Sequence, residues 1–281
     1  MNPRSVVLAA VTTAVVLVAT IGGSSPAAHP DGRIGAVDLL SSAHPSVAVP
    51  TVVDRAYEGR GWLRGTDVSA DAAAITSATC DGCAGESTTL QVVYAGRARL
   101  ARLDNVATAW AQGCVRCTGT ALSVQVVVLR GRPTTVPDNR ALSVTAACEG
   151  CRTSALAFQV VLVADDAEPM GAGELAGLRS WFDEQAAVLR AWVGPAEPQP
   201  PSPTPEPTQT TEPTPPTDPS PTQQPTPTAS PATPSPADPA APGTSSRRAR
   251  RDAVSALADL ERLLTGALDA EAVAADVDLS R

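Results

Sequence analysis

The chain has 281 residues, carries 29 acidic against 21 basic residues, and has a formal net charge of −8. This balance argues against general nucleic-acid binding, which needs a basic face to displace counterions from phosphates. A Pro- and Thr-rich stretch late in the chain cannot pack, so the foldable part is one modest core of roughly one hundred residues.

The first seventy residues combine an export signal with little regular structure. Residues 1–28 have a basic start, an apolar run from Ser5 to Ile21 and small residues at the end, which is typical of a secretory signal peptide. We therefore expect a secreted or cell-envelope protein, with no membrane span unless this segment is retained as an anchor. Residues 29–70 show weak periodicity and are predicted to be irregular, apart from an edge strand near Val47 to Val53.

All six cysteines lie in three CxxC pairs, and each pair begins 34 residues after the one before. The pairs are Cys80 with Cys83, Cys114 with Cys117, and Cys148 with Cys151. The same offset superimposes Gln91, Gln125 and Gln159, each followed by Val-Val. Asp104-Asn105 likewise falls over Asp138-Asn139, with Asp71 in the equivalent place. The chain therefore contains an internal repeat in which an alternating segment, CxxC and a Val-rich segment follow one another.

The Val-rich segments after each CxxC predict strands. They cover residues 89–95, 123–129 and 157–163. The segments before each CxxC alternate with period two and also favour strands, although their Ala content and Asx starts fit an alternative α/β repeat with short helices. With strands on both sides, each CxxC is a hairpin corner, and Asp81-Gly82 is a strong two-residue turn signal. The predicted fold is mainly β, an antiparallel meander of about six strands over residues 71–165.

Hairpin register would sort the side chains onto two faces. The apolar face is expected to be buried, and it contains Ala107, Ala109, Ala111, Leu122, Val124, Val126 and Val128, with Leu156, Phe158, Val160 and Leu162 in the third repeat. The other face is mixed, and we expect it to meet solvent or a partner. Its candidate binding residues are Trp110, Gln91, Gln125 and Gln159. The three glutamines also fit a structural role, bonding across strands.

Four C-terminal segments are distinguished by composition and periodicity. Leu175, Leu178, Phe182, Ala186 and Leu189 recur at helical spacing. They predict a helix over 173–193 that covers the apolar face and completes a domain of residues 71–194.

Residues 195–245 repeat Pro with Thr or Ser and predict a disordered, extended linker. Residues 246–270 predict an amphipathic helix that is marginal without a partner, and its Arg247 to Arg251 start also fits a processing site. Residues 271–281 are predicted to be disordered.

Three interpretations of the CxxC pairs compete. Export, the even count and the turn residues favour three structural disulfides. Thiol–disulfide exchange is an alternative because a short ring at a sheet edge is accessible, but no helix N-terminus stands behind a first Cys to lower its pKa. Structural zinc binding is another alternative. In a meander, however, neighbouring corners lie two strands, about 10 Å, apart, which is too far for one ion. We therefore predict no metal ligand and no cofactor.

Other chemistry is sparse. The only histidines, His29 and His44, lie outside the repeats, so no catalytic triad is assembled and no catalytic residue is predicted. The pattern Asn-x-Ala, CxxC and then Val- or Phe-Gln-Val-Val resembles uncharacterised secreted CxxC-repeat proteins of GC-rich Gram-positive bacteria over residues 71–165. The resemblance implies export and the repeat, and it carries no activity. We expect an exported or cell-surface structural or interaction module rather than an enzyme, with a cell-envelope polymer or protein as partner.

Overall fold

The computed structural model describes residues 35–164, 166, 168–194 and 244–281. The predicted signal peptide of residues 1–28 lies outside the described residues, as does residue range 195–243 of the predicted linker. The described elements, in chain order, are β1 (Ala36–Ala43), β2 (Thr51–Leu63), β3 (Asp67–Ala78), β4 (Ala84–Ala95), β5 (Leu100–Gln112), β6 (Thr118–Leu129), β7 (Thr134–Ala146), β8 (Arg152–Val163), α1 (Ala172–Val193), α2 (Thr244–Leu268) and β9 (Glu271–Ser280).

The first eight strands wind into a parallel β-solenoid. Sheet A contains β1, β3, β5 and β7 in that order, and sheet B contains β2, β4, β6 and β8 followed by β9. Strands β1 to β8 pair with one another only in parallel, and residues of one turn lie beside the equivalent residues of the next, as Gln91, Gln125 and Gln159 do. Each repeat unit is therefore one turn of about four in the solenoid.

The predicted antiparallel meander is wrong, although the part of the chain that the structure describes is mainly β, with 55% strand. Both segments of each repeat are strands, so the alternative with short helices before each CxxC is also wrong. The CxxC corner carries the chain from one sheet to the other instead of reversing it within a sheet. The alternation of apolar and polar residues is the same in the two folds, because a period-two pattern predicts a strand but does not predict which strand it pairs with.

The solenoid has two apolar layers where the meander would have one. Alternate residues of sheet A, among them Ala70, Ala74, Ala107 and Ala109, are buried inside the coil between the two sheets. Residues such as Leu122, Val126 and Phe158 point out of sheet B into a second layer beneath the helices. The predicted single buried face mixed residues of these two layers, since it paired β5 with β6 as neighbours in one sheet.

Helix α1 covers sheet B in the place predicted for a covering helix. Its buried residues include Leu178, Phe182 and Leu189, and the Trp181 ring meets the Phe158 ring edge-on with centroids 5.2 Å apart. The Gly171 N–H donates to the Glu174 carboxylate (2.6 Å) at the start, and Gly194 ends the helix with a positive φ of 75°. An acidic side chain that accepts a backbone N–H of the first turn, and a glycine with positive φ after the last turn, are common at helix ends.

The C-terminal segment returns to the same core. Leu260 and Leu264 of α2 are fully buried against sheet B and α1. Strand β9 pairs antiparallel with β8 along its outer edge. Residues 271–280, predicted to be disordered, thus form a strand, and the predicted lone helix has a packing partner.

The N-terminal segment is also more regular than predicted. Residues 36–63, expected to be largely irregular, form β1 and β2, the first solenoid turn, which carries no cysteine. These two strands lack the Gln-Val-Val run of the later turns, but parallel pairing with β3 and β4 holds them. Among the residues that the structure describes, neither helix is long and apolar enough to cross a membrane.

Candidate functional site

The three CxxC segments occupy the same corner of three successive turns, each leading from sheet A to sheet B. We call this stack, residues 80–83, 114–117 and 148–151, the cysteine column. Each corner brings its two cysteines into a close pair with Cα atoms 5.3, 6.2 and 5.8 Å apart, within the range that disulfides span.

Backbone hydrogen bonds tie the corners of the column together. The Gly82 N–H donates to the Val115 carbonyl (2.8 Å), and the Arg116 N–H donates to the Glu149 carbonyl (2.7 Å). The Asp81 carboxylate accepts the Val115 N–H (2.8 Å). These bonds run from one turn to the next and do not involve sulfur, so they hold the corners in place in either redox state.

Stacking brings the sulfur atoms of two corners together. The Cys114 Sγ lies 3.5 Å from the Cys148 Sγ and 3.8 Å from the Cys151 Sγ. With Cys117, these four sulfur atoms all lie within 4.8 Å of one another. The separation of about 10 Å expected between hairpin corners is therefore wrong, because in a parallel solenoid the neighbouring corners are one strand apart.

Access to this sulfur cluster is uneven. Cys114 and Cys117 are buried, whereas Cys148 and Cys151 are partly exposed. A cleft of about 390 Å³ opens beside Cys114 and Cys148, and the acidic residues Asp81 and Glu149 line it. A small reductant or a cation can therefore approach the cluster from this side.

The three candidate glutamines lie inside the solenoid and not on a binding face. Gln125 Nε2 donates to Gln91 Oε1 (2.9 Å), and Gln159 Nε2 donates to Gln125 Oε1 (2.8 Å). The side chains are buried, and their remaining amide hydrogens meet backbone carbonyls such as that of Ala70. This glutamine ladder fits the structural role that the sequence also allowed, and the assignment of the glutamines to a mixed outer face is wrong.

Trp110 does lie on an outer surface. It is 44% exposed on the outer face of sheet A, and its indole N–H donates to the Ser77 hydroxyl on the neighbouring strand. Val144 stands beside it in register on β7, and Leu142, 52% exposed, lies in the next row. The structure thus separates Trp110 from the three glutamines and places it in an exposed apolar patch, Trp110, Leu142 and Val144.

The same outer face carries a row of four aspartates. Asp38, Asp71, Asp104 and Asp138 are in register on β1, β3, β5 and β7. Burial, and then repulsion by Asp38 and Asp104, raises the pKa of the Asp71 carboxyl. The Arg140 guanidinium donates two hydrogen bonds of 2.9 Å to Asp104 and neutralises one end of the row. The repeat spacing contained this signal, but only parallel stacking turns it into an aspartate row.

A cavity of about 560 Å³ lies between the C-terminal end of α1 and the corner end of sheet B. Its one acidic lining residue, Glu86, is buried and pairs with Arg190 and Arg55. Because that carboxylate is already satisfied, the cavity offers mainly apolar surface.

Comparison with known proteins gives no relative to draw on: no protein-family model, curated protein or solved structure matches the chain.

Proposed function

We propose that the protein is an exported, cell-surface interaction module that binds a neutral polysaccharide of the cell envelope on the outer face of sheet A. The observation that carries this proposal is the position of Trp110, exposed in register with Val144 on a rigid parallel sheet whose opposite partner, sheet B, is covered by α1. Exposed apolar patches on otherwise polar surfaces are typical of binding sites.

The face offers the two kinds of contact that a sugar polymer needs. Trp110 and the flanking Leu142 and Val144 present apolar surface against which the C–H face of a sugar ring packs. The aspartate row presents carboxylate oxygens that accept hydrogen bonds from hydroxyl groups. Both sets are fixed on strands, so little conformational entropy is lost when an extended chain lies across them.

Charge selects the kind of polymer. The chain has a net charge of −8, and the aspartate row adds local negative potential to the face. An anionic polymer would be repelled, and a neutral polysaccharide would not. The proposed export also fits the cysteine column, since three short disulfides persist in an oxidising environment and would pin the corners outside the cell.

Binding to protein-stripped envelope polysaccharide, measured by co-sedimentation of the mature chain, tests this function. Trp110→Ala should weaken binding by about tenfold, the effect of losing a central aromatic contact. Val144→Ala should weaken it less, and the matched control Val254→Ala, 53% exposed on α2, should leave it unchanged.

Wild-type affinity in Trp110→Ala would overturn the assignment of the face. If only the protein fraction of the envelope retained the chain, the proposal that its ligand is a polysaccharide would be overturned.

A second candidate function, thiol–disulfide exchange, is favoured by the 3.5 Å contact between Cys114 and Cys148. An external dithiol that reduces the Cys148–Cys151 pair frees the Cys148 thiolate to attack Cys114, which forms a Cys114–Cys148 bond and releases the Cys117 thiolate. Alkylation and peptide mapping after limited reduction would then find free thiols at Cys117 and Cys151. Free thiols confined to one CxxC pair would exclude exchange between corners.

A further inference from the structure

We infer that the reduced cysteine column is a metal site, in which the thiolates of Cys114, Cys117, Cys148 and Cys151 bind one soft divalent ion of the zinc class. This site is independent of the proposed polysaccharide face. It uses only the second and third corners, because the first pair, Cys80 and Cys83, contributes no sulfur to the four-sulfur cluster.

The sulfur positions across the two corners suit a tetrahedral ion. A zinc–thiolate bond of about 2.3 Å implies a separation of about 3.8 Å between any two sulfur ligands. Cys114 already lies 3.5 Å from Cys148 and 3.8 Å from Cys151. Reduction lets the two sulfur atoms within each pair move apart toward the same separation, and all four sulfur atoms start within 4.8 Å of one another.

The backbone keeps the two corners together when the disulfides are open. The Arg116 N–H donates to the Glu149 carbonyl (2.7 Å), and the Glu149 N–H donates to the Cys114 carbonyl (3.3 Å). Both corners are continuous with the paired strands β5, β7, β6 and β8. The metal therefore meets a nearly formed site, and the free energy of binding is not spent on folding the chain around it.

The charges around the cluster fit a thiolate site. Four thiolates and a divalent ion leave two negative charges, and the second corner itself carries a basic residue, Arg116, that can offset them. The Arg116 side chain lies against Gly150 of the third corner. Asp81 and Glu149 line the cleft and attract the incoming cation.

The chemistry balances with an external dithiol as reductant. Two dithiol molecules each reduce one disulfide, giving four protein thiols and two oxidised dithiols. Binding of the ion then releases four protons, so the affinity rises with pH. Oxidation of the column releases the ion, and the two states exclude each other.

The test is a titration of the reduced, reductant-free full chain with Co²⁺, followed by displacement with Zn²⁺. We expect one equivalent of cobalt, with thiolate-to-metal charge-transfer absorption and the ligand-field bands of a tetrahedral site. The double variant Cys80→Ser with Cys83→Ser is the matched control and should keep the full signal. Cys148→Ser with Cys151→Ser should lower the affinity by at least about a hundredfold.

Equal loss of cobalt in both double variants, or no charge-transfer band in the wild-type chain, would overturn the site. If a serine variant does not fold, X-ray absorption of the wild-type zinc complex decides the question. Four sulfur ligands support the site, and two sulfur ligands with oxygen or nitrogen contradict it.

Discussion

At the residue scale, the three CxxC corners differ in the type of residue that adopts the left-handed backbone conformation. Gly82 and Gly150 have φ values of 67° and 65°, and the equivalent residue of the second corner, Arg116, has a φ of 55°. Glycine adopts this conformation without a Cβ penalty, whereas another residue pays about 1 kcal/mol or more. At this position the strain therefore falls on the second corner, which also contains the two buried cysteines of the sulfur cluster.

Arg116→Gly should stabilise the oxidised protein by about 1 kcal/mol, since relief of the left-handed strain outweighs the added freedom of the unfolded chain. Chemical denaturation of the two proteins measures this difference. The neighbouring Val115→Gly is the control, because Val115 is outside the left-handed region and should only lose stability. A destabilised Arg116→Gly would mean that the arginine side chain contributes more than its backbone costs.

The aspartate row makes a second residue-scale prediction, on pH. The pKa of Asp71 is raised in the folded state, so the folded protein binds its proton more tightly than the unfolded chain does. That preference costs no stability below the ordinary Asp pKa of about 3.9, and the cost grows as the pH rises through the raised folded value. Asp71→Asn removes the partly buried charge and its repulsion by Asp38 and Asp104, so it should stabilise the protein by about 0.5 kcal/mol at neutral pH, the scale of a like-charge cross-strand pair.

Denaturation curves at neutral and acidic pH measure the effect, and the gain should vanish in acid. Asp104→Asn is the matched control, because it relieves the same repulsion but removes the carboxylate that binds Arg140. Its gain should be smaller. A gain for Asp71→Asn that is independent of pH would show that neither burial of the charged carboxylate nor repulsion within the row is its origin.

At the element scale, the glutamine ladder links β4, β6 and β8 inside the coil. Gln125 is its central member, since it donates to Gln91 and accepts from Gln159. Gln125→Ala would leave the Gln91 carbonyl without this donor and open a cavity, so we expect a loss of about 3 kcal/mol. Gln112→Ala, at the exposed end of β5, should change stability by less than about 0.5 kcal/mol. Similar losses in the two variants would contradict a structural ladder.

The strands that carry the glutamine ladder show that strand positions could be predicted from the sequence and that strand pairing could not. Val-rich alternation located β4, β6 and β8, and the CxxC turn residues located their starts, because both signals are local. Pairing is not local: Gln125 has the same alternating neighbours whether β6 pairs with β5 or with β4 and β8. Identical buried polar residues at one offset favour parallel stacking, where each amide bonds to its own kind. The glutamine role was inferable from this, but the exposure of Trp110 and the sulfur cluster required the pairing to be known.

At the scale of the whole molecule, the C-terminal segment closes one end of the coil. Strand β9 pairs with the edge of β8, and its side chains serve the edge of β7: Asp278 accepts the Ala141 N–H (2.8 Å) and Ser280 accepts the Ser143 N–H (2.9 Å). Solenoids need such caps because an open strand edge pairs with other chains. Strand β9 contains only two β-branched residues, Val273 and Val277, and its polar–apolar alternation is confined to residues 276–280, which is a weak signal for a strand.

Because the C-terminal segment packs on the same core as α1, the Pro- and Thr-rich stretch connects two parts of one domain. Gly194 ends α1 and Thr244 begins α2, and both helices pack in one core, so a cut between residues 195 and 243 breaks none of the contacts described within that core. We predict that a chain with a protease site inserted there will give two fragments after cleavage that stay together in native size-exclusion chromatography and separate only on denaturation. The buried Leu260 and Leu264 contribute about 2 kcal/mol each, and the β9 pairing adds to them.

The cleaved variant Leu260→Asp with Leu264→Asp should release its C-terminal fragment, because two charges would enter an apolar layer. The cleaved control Val254→Asp changes an exposed α2 residue and should hold its fragment. Separation of the wild-type fragments under native conditions would mean that residues 244–281 are a tail and not the cap of the solenoid. If the wild-type fragment is retained and the leucine variant releases it, processing at Arg247 to Arg251 would not release the C-terminal segment either. A cut there would leave the buried leucines and β9 in place.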